Sequence, residues 1–140
     1  MPNAPEADAG RRPRTEFLPL RRDRALTYTA TTSPLQVAPA ANTDTDLYTV
    51  PKQHTATVRV YVCERGGAAA TFRIAIRRDG ATIDNIHYVA YGAPLAANED
   101  AHTEVFDCLG EDDVVTVRAS TADCSFSAVG REEPRKGASA

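Results

Sequence analysis

At 140 residues, with a net charge of −3, 42% hydrophobic residues and 25% charged residues, the chain has room for one domain with a real core and the composition of a soluble globular protein. That balance excludes a disordered chain, and no apolar run approaches the ~20 residues of a membrane-spanning helix. The charge is uneven: residues 1–24 hold six arginines against four acids (net +2), and residues 25–140 hold ten basic against fifteen acidic groups (net −5). A basic arm on an acidic body implies that the two face different surroundings.

The opening Met1-Pro2-Asn3-Ala4-Pro5-Glu6-Ala7-Asp8 lacks the basic start and apolar stretch of a secretory signal, so synthesis and folding in the cytoplasm are expected. Residues 1–24 read as an extended, Arg- and Pro-rich N-terminal arm, because the prolines fix φ and remove backbone donors. Fully extended, the arm would span roughly 80 Å at ~3.3 Å per residue, enough to cross a neighbouring subunit. Phe17, Leu18 and Leu20 form an apolar patch that gains from burial. Arg11, Arg12, Arg14, Arg21, Arg22 and Arg24 suit bidentate pairing with carboxylates of a partner surface. These nine residues are the candidate contacts with another subunit.

From residue 25 to 130 the pattern is all-β. Candidate strands run from Leu26 to Thr32, Leu47 to Val50, Thr55 to Cys63, Ala70 to Arg77, Ile83 to Tyr91, Ala101 to Cys108, Asp113 to Ser120 and Asp123 to Gly130. Alternation assigns Val58, Val60, Val62, Phe72, Ile74, Ile76, Val115, Val117 and Phe126 to the core, with Tyr48 or Leu47 and Val105 or Phe106. Gly66-Gly67 and Asp79-Gly80 read as hairpin turns, and Ala93 to Asp100 as a crossing between sheets. The whole predicts an antiparallel β-sandwich, with a jelly roll ahead of an immunoglobulin-like arrangement. Residues 131–140, mixed in charge and without a large apolar side chain, read as a flexible polar tail.

No catalytic constellation emerges. There is no G-x-S-x-G elbow, phosphate-cradling loop or Cys–His pairing, so no enzyme activity and no catalytic residue is expected. His54, His87 and His102 stand in separate segments, and Cys63, Cys108 and Cys124 have no C-x-x-C spacing, so neither a metal nor a cofactor is expected and the thiols read as free and structural. Glu99-Asp100 and Glu111-Asp112-Asp113 read as solvated loop acids. Nucleic acid is not the expected partner, because the body is acidic and offers no basic strand face studded with aromatics.

The phrases Asp46-Leu47-Tyr48-Thr49-Val50-Pro51, Val62-Cys63-Glu64-Arg65-Gly66, Tyr88 to Glu99, Asp113 to Thr121 and Ser125 to Gly130 carry a resemblance covering about residues 44 to 130. The chain resembles small tailed-bacteriophage virion proteins, and most of all the capsid cement, or decoration, proteins with a jelly-roll fold. The resemblance implies a virion structural protein on the outer surface of the mature capsid, bound to the major capsid protein and cementing its neighbouring subunits. It also implies a homo-oligomer, a dimer or trimer on the symmetric lattice, with no membrane. The alternative is a tail-associated receptor- or carbohydrate-binding β-sandwich module, in which Tyr61, Tyr88 or Tyr91 would stack on sugar.

Overall fold

Residues 54–64 alternate apolar and polar side chains, the period of two that lets a strand bury one face. In the computed structural model, which describes residues 35–135, they form the longest strand together with its partner. The strands are β1 (Gln36–Val37), β2 (Thr45–Thr49), β3 (His54–Glu64), β4 (Ala70–Arg77), β5 (Tyr88–Leu95), β6 (Asp100–His102), β7 (Phe106–Leu109), β8 (Val114–Ala119) and β9 (Cys124–Pro134). Every pairing is antiparallel. The arm, with Arg11, Arg12, Arg14, Phe17, Leu18, Leu20, Arg21, Arg22 and Arg24, and the strand expected at Leu26 to Thr32 lie outside the described residues.

Two sheets pack face to face as a β-sandwich. The first has the order β1-β9-β3-β6, with β7 joining β6 on the same edge of β3; the second has the order β2-β8-β4-β5. β9 follows β3 along its whole length, from Cys124 opposite Glu64 to Pro134 opposite His54. The strands approach so closely at Gly130 that a Cβ there would lie 1.8 Å from the Thr57 carbonyl oxygen, which leaves room for glycine alone. β9 also runs past Gly130 into the stretch that reads as a polar tail, because Arg131 to Pro134 find partners in the first residues of β3.

The core lies between the sheets. Val58, Val60, Val62, Phe72, Ile74, Val115, Val117 and Phe126 are all buried, and Phe72 meets Phe126 edge-on with ring centroids 6.3 Å apart. Each such side chain contributes about 1.5–3 kcal/mol when fully removed from water. Both Leu47 and Tyr48 are buried, because a bulge between Asp46 and Tyr48 inserts an extra residue and turns consecutive side chains inward. Ile76 is only half-buried at the end of β4, and Val105 is exposed in the link between β6 and β7. Leu95, Leu109 and Val50, near strand ends, complete the core.

Buried carboxylates fasten the connections. Glu64 is almost fully enclosed, and its carboxylate accepts from the backbone N–H groups of Gly66 (2.7 Å), Gly67 (3.0 Å) and Asn98 (2.8 Å). Asp113 accepts from the N–H groups of Asp79 and Gly110, each at 2.8 Å, and from the Arg78 guanidinium at 2.6 Å. Asp113 is therefore buried and paired instead of solvated. Its neighbours are paired at the surface, Asp112 with Lys52 and Glu111 with Arg135.

These fasteners explain where the chain departs from its local signals. Asp79 and Gly80 do take the positive φ values of a tight turn, 56° and 69°. The Asp113 carboxylate nevertheless draws Arg78 and Asp79 toward β8, and no two-residue hairpin forms. The following strand begins at Tyr88 and not at Ile83, because the Asp84 carboxylate caps a short 3₁₀ turn over Asn85–His87. Gly66-Gly67 is no hairpin either: it carries the chain from β3 in one sheet to β4 in the other. The segment from Ala101 to Cys108 divides into β6 and β7, as the Thr103 hydroxyl replaces a main-chain carbonyl as acceptor for the Val60 N–H. The expected crossing between sheets is present, beginning after Leu95.

Candidate functional site

The outer face of the second sheet gathers three arginines and two tyrosines from strands far apart in sequence. On β4, Arg73 and Arg77 alternate with the core residues Phe72, Ile74 and Ile76, so both guanidiniums lie on the side away from the core. β8 adds Thr116 and Arg118, and β2 with the turn before it adds Asp46 and Asp44. Most of this face is satisfied within itself. Arg77 donates to the Thr116 hydroxyl (3.0 Å), the Gly80 and Ala81 carbonyls (3.2 and 2.8 Å) and the Asp46 carboxylate (3.0 Å). Arg118 has Asp44 at 3.6 Å, an ion pair too long for a direct hydrogen bond.

Arg73 differs. Its side chain forms no hydrogen bond or ion pair among the described residues, and its guanidinium carbon instead lies 4.1 Å from the centre of the Tyr91 ring and 5.8 Å from that of Tyr88. Such stacking contributes about 0.5–1 kcal/mol at an exposed site and leaves the edge N–H groups free to donate. Arg73 also stands directly opposite Arg118 in the β4–β8 register, a like-charge pair that costs stability unless an anion screens it. Beside the two arginines lies a shallow polar depression, lined in part by Asn42, Thr71 and Ser120.

β5 carries two bulges, and the one at Val89 brings the aromatic half of the site together. Tyr88 and Tyr91 are three residues apart, so a regular strand would send them to opposite faces. In the pairing of β5 with β4, however, Ala75 faces Tyr88, Ile74 faces Ala90, Arg73 faces Tyr91 and Phe72 faces Ala93. Val89 and Gly92 are the extra residues, and Gly92 supplies the positive φ of 67° that its bulge uses. Both rings consequently reach the same face, 5.0 Å apart and nearly perpendicular at 86°. Among the described residues the same strand forms an edge of its sheet; it carries no charged residue and exposes Val89 and Tyr91, with Ile86 exposed in the turn before it.

The other candidates stay apart. Tyr61 belongs to the first sheet, where its ring packs 5.5 Å from His102, and does not join Tyr88 and Tyr91. His54 contacts the Lys52 carbonyl through Nδ1, and His87 Nδ1 accepts from the Asp84 N–H. Among the described residues no three His, Cys, Asp or Glu side chains are grouped as metal ligands, and all three cysteines are free. Cys63 and Cys108 are exposed, whereas Cys124 lies in the core and its thiol pKa is pushed up by that burial. Comparison with protein-family models, curated proteins and solved structures returned no match for this chain.

Proposed function

We propose that this chain is a structural protein of a tailed-phage virion, bound to the outer surface of the mature capsid and cementing neighbouring major capsid subunits as a homo-oligomer. The observation that carries the reading is the edge at β5: an uncharged strand exposing Val89 and Tyr91, beside an arginine with no carboxylate of its own. Protein interfaces combine such features, with aromatic and Arg anchors at the centre of an apolar patch. The strand order supports a jelly-roll winding as well. β1-β9-β3-β6/β7 facing β2-β8-β4-β5 is the order that two interlocked Greek keys produce, and it favours that winding over an immunoglobulin-like one.

On this reading the work is thermodynamic. A protein that binds the assembled lattice and not its dissociated subunits stabilises the lattice by mass action. Modest contacts repeated over a symmetric shell, each copy engaging by arm and body, sum to a large effect. The test is the copy number of the chain in purified virions, by quantitative mass spectrometry against the major capsid protein. A simple fraction of the capsid protein count supports cementing; a few copies per particle, or none, overturns it.

The carbohydrate-binding alternative draws on the adjacency of Tyr88 and Tyr91. Their perpendicular rings form no flat platform, and Arg73 lies over one ring. Protein docking therefore fits the face better, and glycan-array binding separates the two readings.

A further inference from the structure

Arg73 and Arg118 stand opposite each other on adjacent strands, and the only carboxylate paired with either among the described residues is Asp44, 3.6 Å from Arg118. The third arginine of the face, Arg77, is held by Asp46, Thr116 and two carbonyls. The surplus positive charge of the face therefore falls on Arg73, and that side chain is also the one fixed by ring stacking. A guanidinium lodged over a tyrosine ring has already given up much of its rotamer freedom, so less is lost when its donor fork closes on an anion. The floor beside it is built to donate. The Ser120 hydroxyl accepts the Thr71 N–H at 3.0 Å, which leaves its own hydrogen for an incoming oxygen, and the Asn42 side chain lines the same depression.

We infer that Arg73, backed by Tyr91 and flanked by Arg118 and Ser120, is a receptor for the carboxylate of an acidic side chain on a protein partner. The inference rests on the capsid-docking reading for the identity of that partner. Several observations select a protein carboxylate over other anions. The body of the chain carries a net charge of −5, which opposes long polyanions. Exposed Tyr91 against Arg73, and exposed Val89 on the same strand, provide apolar contact beside the charge, as a folded protein surface requires. The stacked Arg73 covers part of the ring surface that a sugar would use. An acidic residue arriving here would relieve the Arg73–Arg118 repulsion and form a charge-assisted pair partly shielded from solvent.

The test uses the full-length protein with its arginine side-chain Nε resonances followed by NMR, titrated separately with N-acetylglutamate amide and with glucuronate. The receptor predicts a saturable shift, with N-acetylglutamate amide, of the Arg73 Nε–H and of the Arg118 Nε–H opposite it; the Arg118 response, which can be followed in every variant, is lost in Arg73→Gln and weakened in Arg73→Lys, which keeps the charge but not the fork. No saturable shift, an equal response in Arg73→Lys, or binding of glucuronate alone overturns it. A second arm measures binding of the same proteins to purified capsids that lack the chain, where Arg73→Gln is expected to bind at least about tenfold more weakly. Wild-type binding retained unchanged by Arg73→Gln overturns the receptor and leaves the docking reading standing. Failure of the wild type to bind capsids sinks the docking reading, and the titration still decides whether the receptor exists.

Discussion

The Tyr48 hydroxyl donates to the Glu132 carboxylate at 2.7 Å, joining β2 of one sheet to β9 of the other. Tyr48 is 2% exposed, and burial first, then its bond to the Glu132 carboxylate, raises the phenol pKa far above that of a free tyrosine. The folded state thus holds the proton that the unfolded chain releases near pH 10. Stability from this group is complete below that pH and is lost as pH rises beyond it.

Tyr48→Phe should cost about 1–2 kcal/mol at neutral pH, since it leaves Glu132 without its donor. It should also flatten the alkaline decline in stability. Urea unfolding of both proteins between neutral and strongly alkaline pH checks both effects, and an unchanged alkaline slope would show that the bond contributes nothing.

At the acid end the controlling groups are Glu64 and Asp113. The Glu64 pKa is lowered by the Asn98 N–H and then by those of Gly66 and Gly67, which outweigh burial. For Asp113 burial acts upward, but the N–H groups of Asp79 and Gly110 and the Arg78 guanidinium prevail and bring it down. Both contribute stability that is present above the ordinary carboxylate pKa of about 4 and is lost as pH falls through their lower folded values. Glu64→Gln should lower the melting temperature at neutral pH and reduce the acid dependence of unfolding. Asp113→Asn should destabilise by about 2 kcal/mol.

Gly130→Ala would place a methyl group against the Thr57 carbonyl. A loss of about 3 kcal/mol, or failure to fold, is expected from the strand separation this forces. Ala at the exposed Gly67, whose Cβ would meet nothing within 4 Å, isolates the cost of positive φ without a clash and should be milder. Thermal melts of the two variants make the comparison.

Thiol reactivity should divide the cysteines. Cys63 and Cys108 are exposed and should react with a disulfide reagent in the native protein; Cys124, buried with its pKa raised, should react only on unfolding. Mass spectrometry of partly labelled protein locates the modified residues.

Removal of residues 1–24 tests the arm. The contacts described among residues 35–135 predict that the circular dichroism of the sandwich survives the deletion, and the capsid reading predicts that attachment does not. Full attachment by the shortened protein would sink the role assigned to Phe17, Leu18, Leu20 and the six arginines.

Much of the sandwich was legible because its interior strands obey a period of two: β4 runs from Ala70 to Arg77 as the alternation implies, and its core residues Phe72 and Ile74 are buried. Legibility failed where side chains far apart in sequence capture backbone groups. Asp113 holding Asp79 and Thr103 standing in for a carbonyl at Val60 are contacts across tens of residues, invisible to a local pattern. The candidate site was half legible. Tyr88 and Tyr91 stood out as aromatics, but only the bulge at Val89 puts them on one face, and nothing local connects them to Arg73 and Arg118. Glycine within a strand often marks a bulge, and Gly92 marks the neighbouring one, but Val89 carries no such signal.

The place of β9 at the middle of its sheet has a consequence for the order of events in the cell. β3 is the central scaffold of that sheet, yet among the described residues one whole edge of it stays open until residues 124–134 have left the ribosome, and β1 has no strand partner there before then either. A chain interrupted short of that point presents raw, apolar strand edges and is a substrate for aggregation or proteolysis. Completion of the sandwich therefore follows synthesis of β9, and the long sequence separation of the paired strands makes that step slow compared with local turns. The opposite sheet, whose strands all lie within residues 45–119, thus gains its packed support only once β9 is in place.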